Sequence, residues 1–238
     1  VPKNKNIIDK KADGCCIYIK QTYQILQFKS IDYYNIFEKN IRKKNFVKDR
    51  RRGRRVMAGI ICVLKKISNN KKFIISNVHL LADPDKPDVK NLQVVSVLNE
   101  LAILSDNGKI PTILCGDFNS TPDTSIYNTI TKNRIYSKFD KLNKDDIIIP
   151  KKLDYKIKFK SCYKKILGKE PSFTTYTNDF IGTLDYIFVS DHWRIKDVLP
   201  ILSEKDILKE KVLPNSHIPS DHLPIMTNIY LEKNNNNK

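Results

Sequence analysis

Glycine is scarce in this sequence, with 7 glycines among 238 residues. These few form neither a Gly-rich phosphate-binding loop nor a Gly-x-Ser-x-Gly motif, so neither nucleotide-driven transfer nor acyl hydrolysis by an activated serine is indicated. Long uncharged apolar runs are missing too, and none reaches the roughly 18 residues that a membrane-spanning helix needs. The sequence therefore predicts a globular protein without a membrane partner.

Cysteines are few, odd in number and without a pairing pattern. No Cys-x-x-Cys pair of the kind typical of a zinc site occurs. The five are Cys15, Cys16, Cys62, Cys115 and Cys162. We expect them to be reduced, mostly buried thiols in an intracellular protein, with the cytoplasm as its location and the nucleus or an organelle left open.

Acidic residues are outnumbered, with 26 Asp and Glu against 43 Lys and Arg, which gives a formal charge of +17. Such an excess favours a polyanionic partner, nucleic acid before an anionic membrane. Because Lys and Asn are abundant throughout, part of this charge reflects general composition. A local concentration, here called the arginine cluster, comprises Arg50, Arg51, Arg52, Arg54 and Arg55. It is either a phosphate-contacting or localisation segment, or a solvated loop.

The length suits one domain over residues 1–238. Residues 232–238 are almost all Asn and Lys, and we expect them to form a disordered tail. Because residue 1 is Val and not Met, we expect the chain to be a fragment cut from a longer protein.

Apolar periodicity predicts several strands and two helices. The predicted strands are 15–20, 23–28, 57–64, 73–78, 110–115, 184–189, 194–201 and 225–231, with 57–64 and 73–78 forming an antiparallel hairpin. The predicted helices are 88–104 and 124–131. The charged stretches 30–55 and 132–171 are expected to be loop or insertion. Hairpins with few helices favour two sheets packed face to face, with the helices outside.

Four segments end in polar groups beside an apolar strand. They are Asn77-Val-His79, Asp117-Phe-Asn119, the segment that contains Asp185, and Asp221-His222. If the strands share a sandwich, carboxylates, amides and imidazoles meet on one rim. Oxygen ligands without thiolates suit Mg²⁺, or Mn²⁺, better than zinc, and a carboxylate next to a histidine suits acid–base chemistry.

These motifs resemble those of the endonuclease/exonuclease/phosphatase superfamily of metal-dependent phosphodiesterases. The motifs Asn-x-His, Gly-Asp-Phe-Asn, Asp-Tyr-Ile-Phe and Ser-Asp-His occur in that order. Residues 13–20, 179–185 and 214–222 are most similar to carbon-catabolite-repressor-type poly(A) deadenylases and their nocturnin and Angel relatives. The resemblance covers roughly residues 13–231. It implies an α/β fold, a four-layer α/β/β/α sandwich of two mixed, mainly antiparallel sheets, of which this chain would hold the C-terminal two-thirds.

The resemblance also implies roles for the polar residues at the strand ends. His222 would lie at the scissile phosphate, oriented by Asp185. Asp117 would position or deprotonate the attacking water. The remaining roles fall to Asn119, which would hold phosphate or metal, His79, which would stabilise charge on the phosphoryl oxygens, and Asp221, at the metal-binding rim. The expected metal ligands are thus Asp117, Asn119, Asp221 and His222.

Substrate contacts are expected from three further residues. Phe180 matches an aromatic residue that stacks on adenine in deadenylases; its alternative role is packing in the core. Asn77 and Arg55 are the other candidates, at a strand end and in the arginine cluster. The superfamily's principal metal ligand is a Glu on a Gln-Glu strand, and no Gln-Glu pair occurs in this chain.

The implied function is a Mg²⁺-dependent 3′-to-5′ exoribonuclease that acts on poly(A) in single-stranded RNA, releases AMP and works with subunits of a deadenylation complex. This fragment alone is expected to be weak or inactive. Another phosphodiesterase or phosphatase of the superfamily is the first alternative: a 2′,5′-phosphodiesterase, a nocturnin-like phosphatase or an abasic-site DNA endonuclease. A degenerate RNA-binding domain without catalysis is the second.

Overall fold

A six-stranded mixed sheet lies at the centre of the computed structural model, which describes residues 14–31, 33, 59–133, 156–202, 205 and 212–231. The strands are β1 (Tyr23–Ile31), β2 (Gly59–Lys66), β3 (Lys72–His79), β4 (Thr112–Asp117), β5 (Phe159–Ser161), β6 (Thr175–Tyr176), β7 (Ile181–Gly182), β8 (Asp185–Ser190), β9 (Trp193–Val198) and β10 (Thr227–Leu231). The helices are α1 (Pro87–Leu104), α2 (Ser125–Lys132) and α3 (Cys162–Leu167).

The central sheet has the order β1-β2-β3-β4-β8-β5. Only the β3–β4 pair is parallel in it, and the crossover between these strands contains α1. Strands β9 and β10 form a separate antiparallel pair, and β6 and β7 form a short hairpin. The prediction of mixed, mainly antiparallel sheets is confirmed.

Two apolar cores lie on opposite faces of the central sheet. On one face α1 and α2 pack against alternate strand residues, including Val78, Leu114 and Tyr186. On the other face β9 and β10 pack against the intervening strand residues, including Ile113 and Val189. Side chains alternate between faces along a strand, so every second residue of β3, β4 and β8 points away from the helices. The α/β fold with stacked sheets and outer helices is confirmed, while the fourth layer stays a prediction.

Most predicted elements are present with shifted ends. The predicted hairpin is β2–β3, the predicted helices are α1 and α2, and the predicted strand 23–28 extends to Ile31 as β1. Helix α1 begins with Pro87. Proline has no amide hydrogen, but the first residue of a helix does not need one for a hydrogen bond within the helix.

Two local predictions are wrong. Residues 15–20 form no strand ladder with the described part of the chain, although their burial alternates; the Cys16 carbonyl instead accepts a hydrogen bond from the Asn77 side chain. Within 132–171, expected to be loop, the structure has β5 and α3. Lysines alternate there with the buried Ile157 and Phe159, and their charge hides the period of two.

The five cysteines are free thiols, and Cys15, Cys62 and Cys162 are buried, as predicted. No helix among the described residues is long and apolar enough to cross a membrane. The arginine cluster and the tail 232–238 lie outside the described residues. The single-domain assignment stays a prediction.

Candidate active site

Three neighbouring strands bring His79, Asp117 and Asp185 into one row at the same end of the central sheet. His79 ends β3 and is paired with Asp117, which ends β4 and is in turn paired with Asp185 at the start of β8. Residues aligned across strands share a face of the sheet. Because Val78 and Tyr186 point towards the helices, the row points to the opposite face, where it lines a cleft together with Asn77, Cys16 and other residues.

The turn after β4 fixes the orientation of Asp117. The Asn119 amide donates to Asp117 Oδ1 at 2.8 Å, and Asn119 Nδ2 lies 3.3 Å from Asp117 Oδ2. Asn119 has the left-handed φ of +46° that asparagine tolerates better than most residues. His79 Nε2 lies 3.4 Å from Asp117 Oδ2. The carboxylate thus has a defined position between an imidazole and the turn.

A second unit consists of His222, Asp185 and Thr174. His222 Nδ1 lies 2.7 Å from Asp185 Oδ2, and Thr174 Oγ1 donates to the same oxygen at 2.7 Å. This hydrogen bond to Asp185, helped by the charges of Asp185, Asp117 and Asp221 and opposed by burial, raises the pKa of His222 to about 9. Its Nε2 lies 4.0 Å from Asp117 Oδ2. The imidazole is therefore protonated at neutral pH and held as a donor.

The fold delivers these groups through short backbone contacts. The Thr174 hydroxyl accepts hydrogen bonds from the Leu184 and Asp185 amides at 3.0 and 3.1 Å. The Thr174 carbonyl accepts from the Leu223 amide at 2.7 Å, and Thr175 forms a β-bridge with His222. One threonine thus joins the start of β8 to the loop that carries His222.

The donor set fits a divalent cation with hard ligands. One potential ligand atom each from Asp117, Asp185 and His222 lies within 4.8 Å of the other two. Mg²⁺ commonly binds through one or two protein carboxylates and completes its shell with water and substrate phosphate. The two carboxylates, without a thiolate, match that preference better than zinc, and His222 would add a ligand only as a neutral imidazole.

The other expected site residues are placed differently. Asn77 points into the same cleft, where its side-chain amide donates to the Cys16 carbonyl at 2.9 Å. Asp221 is exposed, and its negative charge helps to raise the pKa of His222. Phe180 is 40% exposed between β6 and β7 and not in the core. Arg55 lies outside the described residues.

Sequence reasoning missed Thr174 and Lys90. Thr174 lies 11 residues before Asp185, and nothing in its surroundings distinguishes it from a strand threonine. Lys90 is 6% exposed in α1, and its ammonium donates to the Asn119 carbonyl at 2.9 Å. Burial lowers the pKa of Lys90, against the opposing effect of the Asp83 and Asp117 charges. A lysine among the apolar positions of a predicted helix was the available signal.

Comparison with known proteins identifies a family and several relatives. The family model described as Endonuclease/Exonuclease/phosphatase family matches residues 4–222. A probable CCR4-Not complex 3′-5′-exoribonuclease subunit Ccr4 from Vairimorpha ceranae is 33% identical over 236 residues, which are 97% of this chain and 48% of that protein. The Saccharomyces cerevisiae CCR4-Not complex 3′-5′-exoribonuclease subunit Ccr4 is 28% identical, over 95% of this chain and 27% of that protein. The chain thus spans less than half the length of either relative.

Two solved structures share the fold. ANGEL2, a 2′,3′-cyclic phosphatase in complex with adenosine-2′,3′-vanadate, has a TM-score of 0.72 and 24% identity, over 94% of this chain and 72% of that one. The human Nocturnin catalytic domain has a TM-score of 0.61 and 20% identity, over 90% of this chain and 62% of that one. The family match over most of the sequence and the shared fold lead to one conclusion: the chain belongs to the Endonuclease/Exonuclease/phosphatase family.

Proposed function

We propose that this chain carries the catalytic centre of a divalent-metal-dependent phosphodiesterase that removes nucleotides from the 3′ end of single-stranded RNA. The observation that carries the proposal is the pair formed by Asp185 and His222 at 2.7 Å, with His222 Nε2 4.0 Å from the Asp117 carboxylate. The similarity to two 3′-5′-exoribonuclease subunits supports this reaction over others of the family. Poly(A) is the proposed substrate, and AMP is the proposed product.

His222 acts at the scissile phosphate. Because Asp185 holds the Nδ1–H and raises the pKa of the ring to about 9, Nε2–H is available as a donor to a phosphoryl oxygen. Charge builds on these oxygens as the phosphorus is attacked, so a fixed cationic donor stabilises the transition state more than the ground state.

Asp117 positions the attacking water. Its carboxylate is fixed by the Asn119 amide and lies beside His79, so a water that donates to it has a defined direction of approach. The bond from the water oxygen to phosphorus forms as the bond from phosphorus to the 3′ oxygen breaks. A cation held by Asp117 and Asp185 would supply neutralisation of the phosphate charge.

The exposed Phe180 ring offers a base a stacking surface on a hairpin that Thr174 joins to Asp185, and stacking is how single-stranded nucleic acid is commonly held. Asn77 and the arginine cluster, with Arg55, are proposed to contact the sugar and phosphates. A CCR4-Not-type deadenylation complex is the proposed partner, since the names of the relatives place those proteins in the CCR4-Not complex. The cytoplasm remains the proposed location.

The test is digestion of 5′-labelled oligo(A) with Mg²⁺, compared with oligo(U), oligo(A) ending in a 2′,3′-cyclic phosphate, and abasic duplex DNA. It is run on this chain and on the complete product of its gene. We expect a ladder of shortened oligo(A) from the complete product, weak or no cleavage by the chain alone, and none from either after Asp117→Asn or His222→Ala. Asp117→Asn should melt near the wild-type temperature, since Asp117 lies at the rim of the sheet, and His222→Ala should remain folded while losing the stability that its pair with Asp185 contributes.

Other outcomes select the alternatives. Cleavage confined to abasic DNA, or removal of the cyclic phosphate without shortening, would replace the exoribonuclease by another activity of the family. Tight oligo(A) binding with no turnover by the complete product would identify an RNA-binding domain. Calorimetry with Mg²⁺ and Mn²⁺ decides the metal: we expect weak binding to this chain, whose candidate ligand group among the described residues contains no glutamate, and micromolar binding would contradict that.

A further inference from the structure

Helix α1 buries polar side chains as well as apolar ones. Lys90 is 6% exposed, Asn91 is fully buried and Gln93 is 3% exposed. Burying an ammonium or an amide is unfavourable unless hydrogen bonds compensate for the lost water. The partners of these side chains therefore indicate what the burial achieves.

Lys90 holds the turn that carries the Asp117 carboxylate. Its Nζ donates to the Asn119 carbonyl at 2.9 Å. The other side of Asn119 is bound to Asp117 through its amide at 2.8 Å and to the Leu80 carbonyl through Nδ2 at 3.0 Å. Lys90 is thus the link from the helix to the turn, and the turn passes the constraint on to the carboxylate.

Gln93 holds the segment that follows His79. Its Oε1 accepts a hydrogen bond from the Leu81 amide at 3.0 Å, two residues after His79. The Leu80 amide in turn donates to the Asp117 carbonyl at 2.9 Å. Lys90 and Gln93 are three residues apart and so lie on the same side of the helix. Lys90 is hydrogen-bonded to the turn after β4, and Gln93 is hydrogen-bonded to the segment after β3. These two loops are joined by the hydrogen bond from Leu80 to Asp117.

We propose that Lys90 and Gln93 are positioning residues that set the distance between His79 and Asp117 by tying both loops to α1. The inference rests on the proposed function, because a fixed distance between His79 and Asp117 matters only if both residues act in the reaction. It predicts that loss of either side chain misplaces the carboxylate or the imidazole, and displacements near 1 Å reduce rates about 100-fold.

Asn91 provides a matched control on the same helix. It is as deeply buried, but Nδ2 donates to the Pro87 carbonyl and to Ser125 Oγ of α2, away from both loops. A purely structural role predicts that Lys90→Met, Gln93→Met and Asn91→Leu behave alike. The positioning role predicts that they differ in turnover although they lose similar stability.

The experiment measures kcat and KM on oligo(A), the melting temperature, and amide hydrogen exchange of residues 79–82 and 116–120 in the complete gene product. We expect Lys90→Met and Gln93→Met to lower kcat about 10–100-fold with KM changed less than about threefold. Asn91→Leu should leave kcat within about twofold. Lys90→Arg, which keeps a cationic donor, should recover part of the lost kcat. Exchange should quicken at 116–120 in Lys90→Met, at 79–82 in Gln93→Met, and at neither in Asn91→Leu.

Failure of this proposal is separable from failure of the proposed function. If the wild type shortens oligo(A) while Lys90→Met and Gln93→Met keep kcat and loop protection, the positioning roles are overturned and the exoribonuclease stands. If the wild type cleaves no substrate, the proposed function fails, and the exchange pattern alone then supports or overturns the tethering. If Lys90→Met does not fold, Gln93→Met and Lys90→Arg decide the question by the same readouts.

Discussion

Gly116 lies near the end of β4, just before the turn that follows this strand, at a position where no side chain fits. Its φ is +134°, and a Cβ added there would lie 1.9 Å from the Val78 carbonyl oxygen. Gly116→Ala therefore combines an unfavourable backbone conformation with overlap in the sheet, and we expect a loss of at least about 3 kcal/mol in the free energy of unfolding, measured by urea denaturation. Gly168 is the control: its φ is +76°, but nothing lies within 4 Å of an added Cβ, so Gly168→Ala should lose only about 1–2 kcal/mol. Equal losses would contradict the overlap.

The raised pKa of His222 gives a second prediction for a single residue. In metal-free buffer with EDTA, the imidazole should titrate near pH 9 by NMR, because Asp185 stabilises its protonated form. Asp185→Asn removes that charge and should bring the midpoint down towards the ordinary value of about 6.5. His222→Gln identifies the resonance among the four histidines. An unchanged midpoint in Asp185→Asn would show that Asp185 is not the cause.

The same shift sets the pH dependence of stability. The folded-state pKa of His222 is raised above the unfolded value, so its contribution is fully present below about pH 6.5 and is lost as the pH rises through about 9. The wild type should therefore have a higher free energy of unfolding than Asp185→Asn, and this difference should be larger at pH 6 than at pH 10. If this difference grew with pH, the interaction between Asp185 and His222 would favour the neutral imidazole, which would contradict the prediction.

At the level of residues, the sequence best predicted the positions of polar residues that lie directly at the end of an apolar strand. His79, Asp117 and Asp185 follow or begin strands whose apolar residues define the register, so their meeting in one row could be anticipated. Thr174 and Lys90 could not be assigned in this way, since their roles come from contacts between segments 11 and 29 residues apart. Periodicity carries no information on such pairs.

The β6–β7 hairpin is the element that links a candidate base-stacking surface to the pair formed by Asp185 and His222. The Thr174 amide donates to the Gly182 carbonyl at 2.9 Å, and the Phe180 ring packs so closely on Gly182 that an added Cβ would lie 2.8 Å from it. Thr174 also bonds to Asp185. The hairpin therefore fixes the ring relative to the site.

Phe180→Ala should weaken substrate binding with little loss of stability, because the ring is 40% exposed. Stacking of one base on an aromatic ring is worth about 1–3 kcal/mol, so we expect KM for oligo(A) to rise about 5–150-fold at similar kcat, and Phe180→Trp to stay near the wild type. The neighbouring Ile181 is 53% exposed, and Ile181→Ala removes apolar surface from the same hairpin without a π face. A rise in KM as large as that for Phe180→Ala would point to general apolar contact.

Elements were predicted well where composition and period agreed. Helix α1 has apolar residues at three- and four-residue steps, the β2–β3 hairpin has two apolar runs joined by turn residues, and both elements were found. The strand β5 and helix α3 were missed because six lysines between 156 and 169 obscure the alternation of buried residues. The segment 15–20 has the alternation of a strand, yet pairing is a property of two segments, and its neighbour Asn77 contacts it through a side chain.

At the scale of the whole molecule, the charge of +17 admits two explanations. Either composition makes the surface uniformly basic, or particular cations contact RNA phosphates. The two differ in the salt dependence of binding, because each phosphate contact on a single strand contributes about −0.7 to the slope of log K against log salt concentration. Net charge spread over the surface contributes little to that slope.

Replacing all five residues of the arginine cluster by Gln should make this slope less negative by about 0.7 for each RNA phosphate that the cluster binds, measured with oligo(A) by fluorescence anisotropy between about 50 and 300 mM salt. The matched control also removes five charges, from lysines at the opposite end of the sheet from His79: Lys20, Lys65, Lys66, Lys71 and Lys72. Strand β3 alone separates Lys72 from His79 by about 23 Å, beyond the Debye length of about 6–14 Å at these salt concentrations. The control should keep the wild-type slope. If the variant of the arginine cluster also keeps the wild-type slope, the cluster, Arg55 included, makes no contact with RNA phosphates, and an equal change in both variants would show that it binds phosphates no better than the control lysines.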